Sequence, residues 1–409
     1  MTTTLPRSDR PDSSRTDAQR ARRRLLADLE SPRQALANIT PNWYAAVMGT
    51  GIVAVAAASL PMQFAGMRSA ATVIWALAAV LLVGITVATA AHWLRYPRAA
   101  RAHAHNPVMA QFYGAPPMAM LTVGAGALLL GRDWIGLRAA VDLDWVLWLA
   151  GTLTGLVCAV AVPYLTFTVH QVRDGAFGGW LMPVVPPMVS ASTGALLLPY
   201  TQPGQDRLTL LVCCYAMFGL SLLASLVIIT LIWNRLALHK VGEPRMVPTL
   251  WIVLGPLGQS ITAANLLGAN AHLAIGAPYA TALQMFGVVY GVPVLGFALL
   301  WAALAGAITL RAAAHQLPFS LTWWSFTFPV GTCVTGTTEL ALHTGADMFR
   351  MLAAVIYVAL VLAWLVVISR TARDTARGRI FLPLPADPGP GAGLNPVRFA
   401  PARAATARR

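Results

Sequence analysis

A glycine or proline cluster returns in the middle of an apolar stretch five times at nearly constant spacing, and few architectures accommodate that pattern. The clusters are MGTG at Met48–Gly51, YGAPPM at Tyr113–Met118, PVVPPM at Pro183–Met188, GPLG at Gly255–Gly258 and FPVG at Phe328–Gly331. Gly49, Pro116, Pro186, Pro256 and Pro329 are separated by 67, 70, 70 and 73 residues. Apolar runs lie at about 42–60, 70–94, 107–131, 144–170, 180–199, 207–233, 248–270, 279–311, 319–341 and 349–370, each near or above the ~20 residues that cross hydrocarbon as a helix. Odd runs carry the clusters. Even runs are plainer, although the fourth holds Pro163 and the eighth Pro293. The period predicts an all-α membrane protein of ten transmembrane helices, arranged as five quasi-repeated helical hairpins around a central pore.

A proline within a helix removes one donor and frees the carbonyl four residues earlier, which hydrocarbon tolerates only where the freed groups face protein or a water-filled cavity. Single glycines and prolines are common in membrane helices and serve close packing. Five breaks at one period instead predict kinks at Gly49, Gly51, Pro116, Pro117, Pro186, Pro187, Pro256 and Pro329 that converge on a shared axis.

Composition decides the class. The chain is 57% hydrophobic and 11% charged, where soluble domains carry roughly 25% charge. The net charge of +14 is concentrated at the ends: residues 1–40 hold eight Arg against five acids, and residues 370–409 hold eight against two. Neither end has a base-reading motif or interleaved aromatics, so nucleic acid is not expected as a partner and anionic lipid is. The expected layout is a disordered basic tail at 1–40, a transport domain at 41–371 and a disordered Arg/Pro-rich tail at 372–409. No apolar h-region precedes a cleavage site, so the first helix is expected to direct insertion. Loops after even runs carry Arg95, Arg98, Arg101, Arg173, Arg235, Lys240, Arg245 and Arg311, against Arg68, Arg132, Arg138, Arg207 and Arg350 on the other side. With Arg20, Arg22, Arg23 and Arg24 before the first run and Arg370, Arg373, Arg377 and Arg379 after the last, both termini are expected in the cytoplasm of a plasma-membrane protein.

The runs are almost free of ionisable groups, Glu339 standing out as the one carboxylate within them. His92 and His170 fall at run ends, where a ring wets its tip. His103 and His105 share a short basic loop, a weak metal spacing. Cys158, Cys213, Cys214 and Cys333 form no CxxC and read as small apolar residues. No nucleophile elbow, zinc-protease motif, P-loop or paired acids occur. No catalytic residue, metal or cofactor is therefore expected. The odd runs supply neutral polar groups instead: Thr50, Gln111, Ser190, Ser192, Thr193, Gln259, Ser260, Thr262, Asn265, Thr332 and Thr335. Such groups can bond an anion without trapping it, as conduction requires, or can bond back to their own helices.

The stretches NWYAAVMGTGIVA from Asn42, NPVMAQFYGAPPMAM from Asn106, GPLGQS from Gly255 and FSLTWWSFTFPVG from Phe319 resemble the tellurite-resistance/dicarboxylate transporter family. That family includes TehA-type proteins, malate permeases, sulfite exporters and slow anion channels of plant guard cells. The resemblance covers all but the tails. It implies one pore per protomer lined by the odd helices, a homotrimer, and a phenylalanine plug that the TFP match places at Phe328. It also implies small anions as substrates, C4-dicarboxylates such as malate foremost, with sulfite or halide and nitrate efflux as the alternative. Outside the class, the rivals are a membrane-embedded enzyme, which would need an ionisable cluster at one depth, and a passive assembly subunit.

Overall fold

The computed structural model describes residues 26–382 apart from 27, 30, 32, 173, 174 and 316. Arg20, Arg22, Arg23, Arg24 and Arg173, and most of both tails, lie outside the described residues. All regular structure among the described residues is helical. The long helices are α1 (Tyr44–Ser59), α2 (Met67–Arg95), α3 (Ala115–Gly126), α4 (Leu137–Thr168), α5 (Pro186–Leu197), α6 (Gln205–His239), α7 (Leu254–Asn270), α8 (Tyr279–Ala313), α9 (Phe328–Thr344) and α10 (Asp347–Arg377). Eight helical stretches, those containing α1 to α4, α6 to α8 and α10, are long and apolar enough to cross a membrane. Helices α1, α3 and α7 reach that length by running on from their 3-10 segments, whereas α5 and α9, of 12 and 17 residues, are interrupted from theirs. Prolines 183, 186 and 187 shorten α5, and α9 starts only after Thr327, whose φ of −109° and ψ of −73° depart from the helix.

Two layers follow from burial. In the apolar windows of α1, α3 and α7, 78%, 83% and 89% of residues are buried inside the protein, against 17–33% for α2, α4, α6, α8 and α10. The outer five therefore show apolar side chains to the bilayer, and the odd helices sit within. Contacts close the inner layer: α1 packs on α3, α3 on α5, α5 on α7, α7 on α9 and α9 back on α1. Each outer helix packs on its hairpin partner and on the next inner helix. Tryptophans on outer helices donate indole N–H bonds into the ring: Trp75 to Val123 O at 3.0 Å, Trp148 to Ser190 O at 2.9 Å and Trp364 to Thr50 Oγ1 at 3.2 Å. In an apolar solvent such bonds and close packing, rather than hydrophobic burial, hold helices together.

The expected kinks take a different form. Each inner helix opens with a 3-10 segment: Pro41–Trp43, Met109–Gly114, Gly178–Leu181, Pro244–Val253 and Leu321–Phe326. These segments also contact one another in a closed ring. Pro116, Pro117, Pro186, Pro187 and Pro329 fall in the first turn of α3, α5 and α9, and Pro256 is the third residue of α7. At those positions the missing N–H would have little or no partner inside the α-helix, so proline punctuates the change from 3-10 to α-helix instead of bending a continuous one. Gly49 and Gly51 mark no break, since α1 runs through both. Gly49 is a close approach: a Cβ there would lie 2.6 Å from the Trp324 ring.

Two further expectations are corrected. Helix α4 starts seven residues earlier than its apolar run, at Leu137, so that Asp144, the first residue of the run, falls in the third turn of the helix with Asp142 before it, and Glu339 is not the one carboxylate in the spans. Asp144 is fully buried against Gly124. His92 is buried too, its Nδ1 2.9 Å from Leu36 O and its ring stacked 5.4 Å from His103. Burial, and secondarily His92, hold His103 below the usual imidazole range. The two ends of the described residues meet on the 3-10 face, where Trp43 stacks on Phe381 at 5.2 Å and Arg379 pairs with Asp28 at 2.6 Å.

Candidate pore

Two cavities lie inside the ring, and each inner helix, its 3-10 segment or, for α5, the turn joining the two contributes to both. The cavity on the 3-10 side is small, about 20 Å³, and is lined mainly by apolar groups, among them Met48, Phe112, Met118, Met182, Ile252 and Phe328. The cavity on the opposite side is larger, about 110 Å³, and mixed, with Ser59, Thr122, Ser192, Thr193, Gln259, Thr262, Thr335 and Glu339 beside aliphatic residues and Phe328. Phe328 is the one residue that lines both. It is 3% exposed and is the first residue of α9.

Local chemistry sets that position. Thr327 donates its hydroxyl to Trp324 O at 2.7 Å, closing the 3-10 turn. Pro329 then fixes the backbone of the first α turn. Phe328 is thus held between a capped turn and a proline. The 3-10 segment ahead of α3 is held at its start by Asn106, whose Oδ1 accepts from the backbone N–H of Val108 at 3.0 Å and Met109 at 2.8 Å.

The polar residues singled out from sequence divide into two groups. Ser192, Thr193, Gln259, Thr262 and Thr335 line the second cavity. The others bond away from it. Thr50 accepts from Trp364 of α10. Gln111 donates to Thr166 of α4 at 3.2 Å, and Ser190 accepts from Thr152 of α4 at 2.9 Å. Ser260 accepts from Tyr290 of α8 at 2.8 Å, and Asn265 donates to Gly287 O of α8 at 3.0 Å. Thr332 donates to Pro329 O at 2.7 Å and reaches Leu254 O and Gly255 O at 3.3 Å across the α7–α9 contact. These six join helix to helix, which is where a buried polar group in lipid finds a partner. Sequence reading passed over Ser59 and Thr122 as lining, and named Glu339 without assigning it a role. A seven-then-four spacing from Phe328 to Thr335 and Glu339 puts the three on one face of α9 and was available as a signal.

The lining hydroxyls spend their hydrogens locally: Thr193 on Val189 O at 2.8 Å, Ser192 on Val189 O at 2.9 Å, Thr122 on Met118 O at 2.7 Å. Gln259 donates to Ser192, and Thr262 and Thr335 share a hydrogen bond at 2.8 Å. A passing ion can borrow such a donor only by breaking a bond that re-forms behind it. Among the described residues, the lining of both cavities contains no Lys or Arg. Ions are therefore not trapped by a fixed opposite charge.

Comparison with known proteins agrees with this architecture. Residues 38–372 match the SLAC1 family, described as voltage-dependent anion channel. The sulfite efflux pump SSU1 of Arthroderma otae is 26% identical over 358 residues, covering 85% of this chain and 93% of the relative. The malic acid transport protein of Schizosaccharomyces pombe is 22% identical over 349 residues, covering 81% and 77%. An uncharacterized transporter of Methanocaldococcus jannaschii is 26% identical over 360 residues, covering 87% and 99%. The chain belongs to the SLAC1 voltage-dependent anion channel family and is a multi-pass membrane anion transporter, not an enzyme.

Proposed function

We propose that anions pass along the axis of the inner ring and that Phe328 is the gate. The observation that carries this reading is that Phe328 alone belongs to both cavities, so a path between them passes its ring. The apolar lining on the 3-10 side disfavours water next to that ring, and a dewetted constriction blocks ions. Thr193, Gln259, Thr262 and Thr335 are the transient partners of the ion beyond it.

For the substrate we favour a small oxyanion of the sulfite class over the C4-dicarboxylate anticipated from sequence. The Arthroderma otae relative named sulfite efflux pump aligns over 93% of its length at 26% identity, the malic acid transport protein over 77% at 22%. A dicarboxylate is usually recognised by bidentate cations, and neither cavity lining offers one. Malate is the second reading, supported by the S. pombe relative. The Arg-rich 3-10 face is assigned to the cytoplasm of the plasma membrane and the assembly to a homotrimer. Reconstituted protein should pass sulfite faster than malate in a liposome panel that also holds succinate, nitrate and chloride. Faster malate uptake reverses the substrate assignment, and native mass spectrometry tests the trimer.

A further inference from the structure

An anion pathway with a carboxylate in its wall poses an electrostatic problem. Glu339 lines the larger cavity, on the face of α9 that also carries Phe328 and Thr335. It lies 11 residues beyond Phe328, roughly 16 Å along the helix axis. Its side chain is about one-tenth exposed, and His343, one turn further along, brings Nδ1 to 3.9 Å from Oε2. That Nδ1 is 2.8 Å from the Glu339 carbonyl oxygen, so the ring is anchored beside the carboxyl group.

Other ionisable groups on the packed elements are placed elsewhere. Helices α3, α5 and α7 contain none, and α1 has only Tyr44, at its opposite end. On α8, Tyr290 bonds Ser260, Tyr279 starts the helix and Arg311 falls in its last turn. On α10, Asp347 and Arg350 pair with each other at 3.0 Å on the surface, and Tyr357 and the charges from Arg370 onward lie toward the other end. Of the two neighbouring 3-10 segments, Leu321–Phe326 has none, and Pro244–Val253 has Arg245, which pairs with Glu243 at 3.3 Å. His343 is the ionisable partner that the structure sets beside Glu339.

We propose that Glu339, backed by His343, is a proton-binding site that controls anion occupancy of this cavity: the neutral carboxyl admits an anion and donates its O–H to it, and the carboxylate expels it. At about 6 Å and an effective dielectric constant of about 20, one negative charge lowers the occupancy of a second by on the order of a hundredfold. The coupling is reciprocal, so loading an anion takes up a proton at the site. This rests on the axial pathway proposed above.

Chloride is the probe, because its charge does not change with pH as that of sulfite or malate does. In proteoliposomes, wild-type chloride flux should fall at least ~10-fold between about pH 5 and about pH 8. Glu339→Gln should hold the acid-side flux throughout. His343→Gln removes a ring that, when protonated, favours the carboxylate, so the pH of half-maximal flux should move upward, and this variant decides the matter where Glu339→Gln does not fold. A wild-type flux that is flat with pH, a Glu339→Gln profile that matches wild type, or an unmoved midpoint in His343→Gln overturns the inference while leaving the pathway standing. No flux of any anion through the wild-type protein at any pH overturns the pathway itself, and this site with it.

Discussion

Truncating Phe328 to Ala separates a gate from a packing residue, because the two roles predict opposite outcomes. In a filled core, Phe→Ala costs roughly 3–5 kcal/mol, from lost transfer energy and the void left behind. Phe328 differs from such a residue in bordering a cavity on each of two sides, of about 20 and 110 Å³. Where its ring faces that open space it already forfeits a share of dispersion. The cost should therefore fall below about 3 kcal/mol, leaving a folded protein whose two cavities have merged. Removing an apolar barrier of even ~1.4 kcal/mol raises flux tenfold, so anion-loaded liposomes should leak at least ~10 times faster than with wild type. Phe326 is the control. It belongs to the preceding 3-10 segment and packs edge-on against Trp251 at 5.7 Å and Trp323 at 5.6 Å. Phe326→Ala should cost about 0.5–1.5 kcal/mol per lost aromatic pair and leave flux unchanged. Thermal melts and flux on the same preparations give the answer: a Phe328→Ala protein that melts normally and conducts like wild type refutes the gate.

Gln259→Leu should lower anion flux several-fold with little loss of stability, because Gln259 lines the cavity, whereas Thr332→Val should lower the melting temperature and leave flux per folded protein unchanged; the reverse pattern would reassign both residues. Gly258→Ala should destabilise by about 1–3 kcal/mol, since the added Cβ would lie 2.5 Å from the backbone N of Cys333 on α9; an unchanged melting curve would show that the α7–α9 contact is looser than drawn. Protease added outside sealed right-side-out vesicles should spare Arg377, and cleavage there would reverse the assigned orientation.

The repeat was legible because a membrane leaves few ways to place five apolar hairpins of one length. The inner and outer layers follow from it, as Gly and Pro occur where backbones approach. The form of the breaks was not legible. Pro116 or Pro329 reads equally well as the kink of a long helix or as the first turn of a new one, and the choice depends on φ and ψ at a neighbour such as Thr327. Polar residues divided for a related reason. Thr332 and Thr335 are three apart on one helix, yet one bonds α7 carbonyls and the other lines the cavity, and only the packing angle of α7 decides which. Asp144 was missed because it is the first residue of its apolar run and reads as an interfacial end, whereas the helix begins two turns earlier, at Leu137.

The contact between α9 and α1 has a consequence for how the molecule is made. The ring closes through helices some 280 residues apart in sequence, so a growing chain holds the exposed flank of α1 against lipid until almost the last hairpin has entered. That flank is closely fitted: Gly49 of α1 lies against Trp324 and Thr327, and Gly331 of α9 seats Ile52. A surface of this kind lets helices approach closely, so it stays available to α9 while the chain is unfinished. Biosynthesis thus ends with the step that closes the inner ring, and a chain truncated before α9 leaves it open.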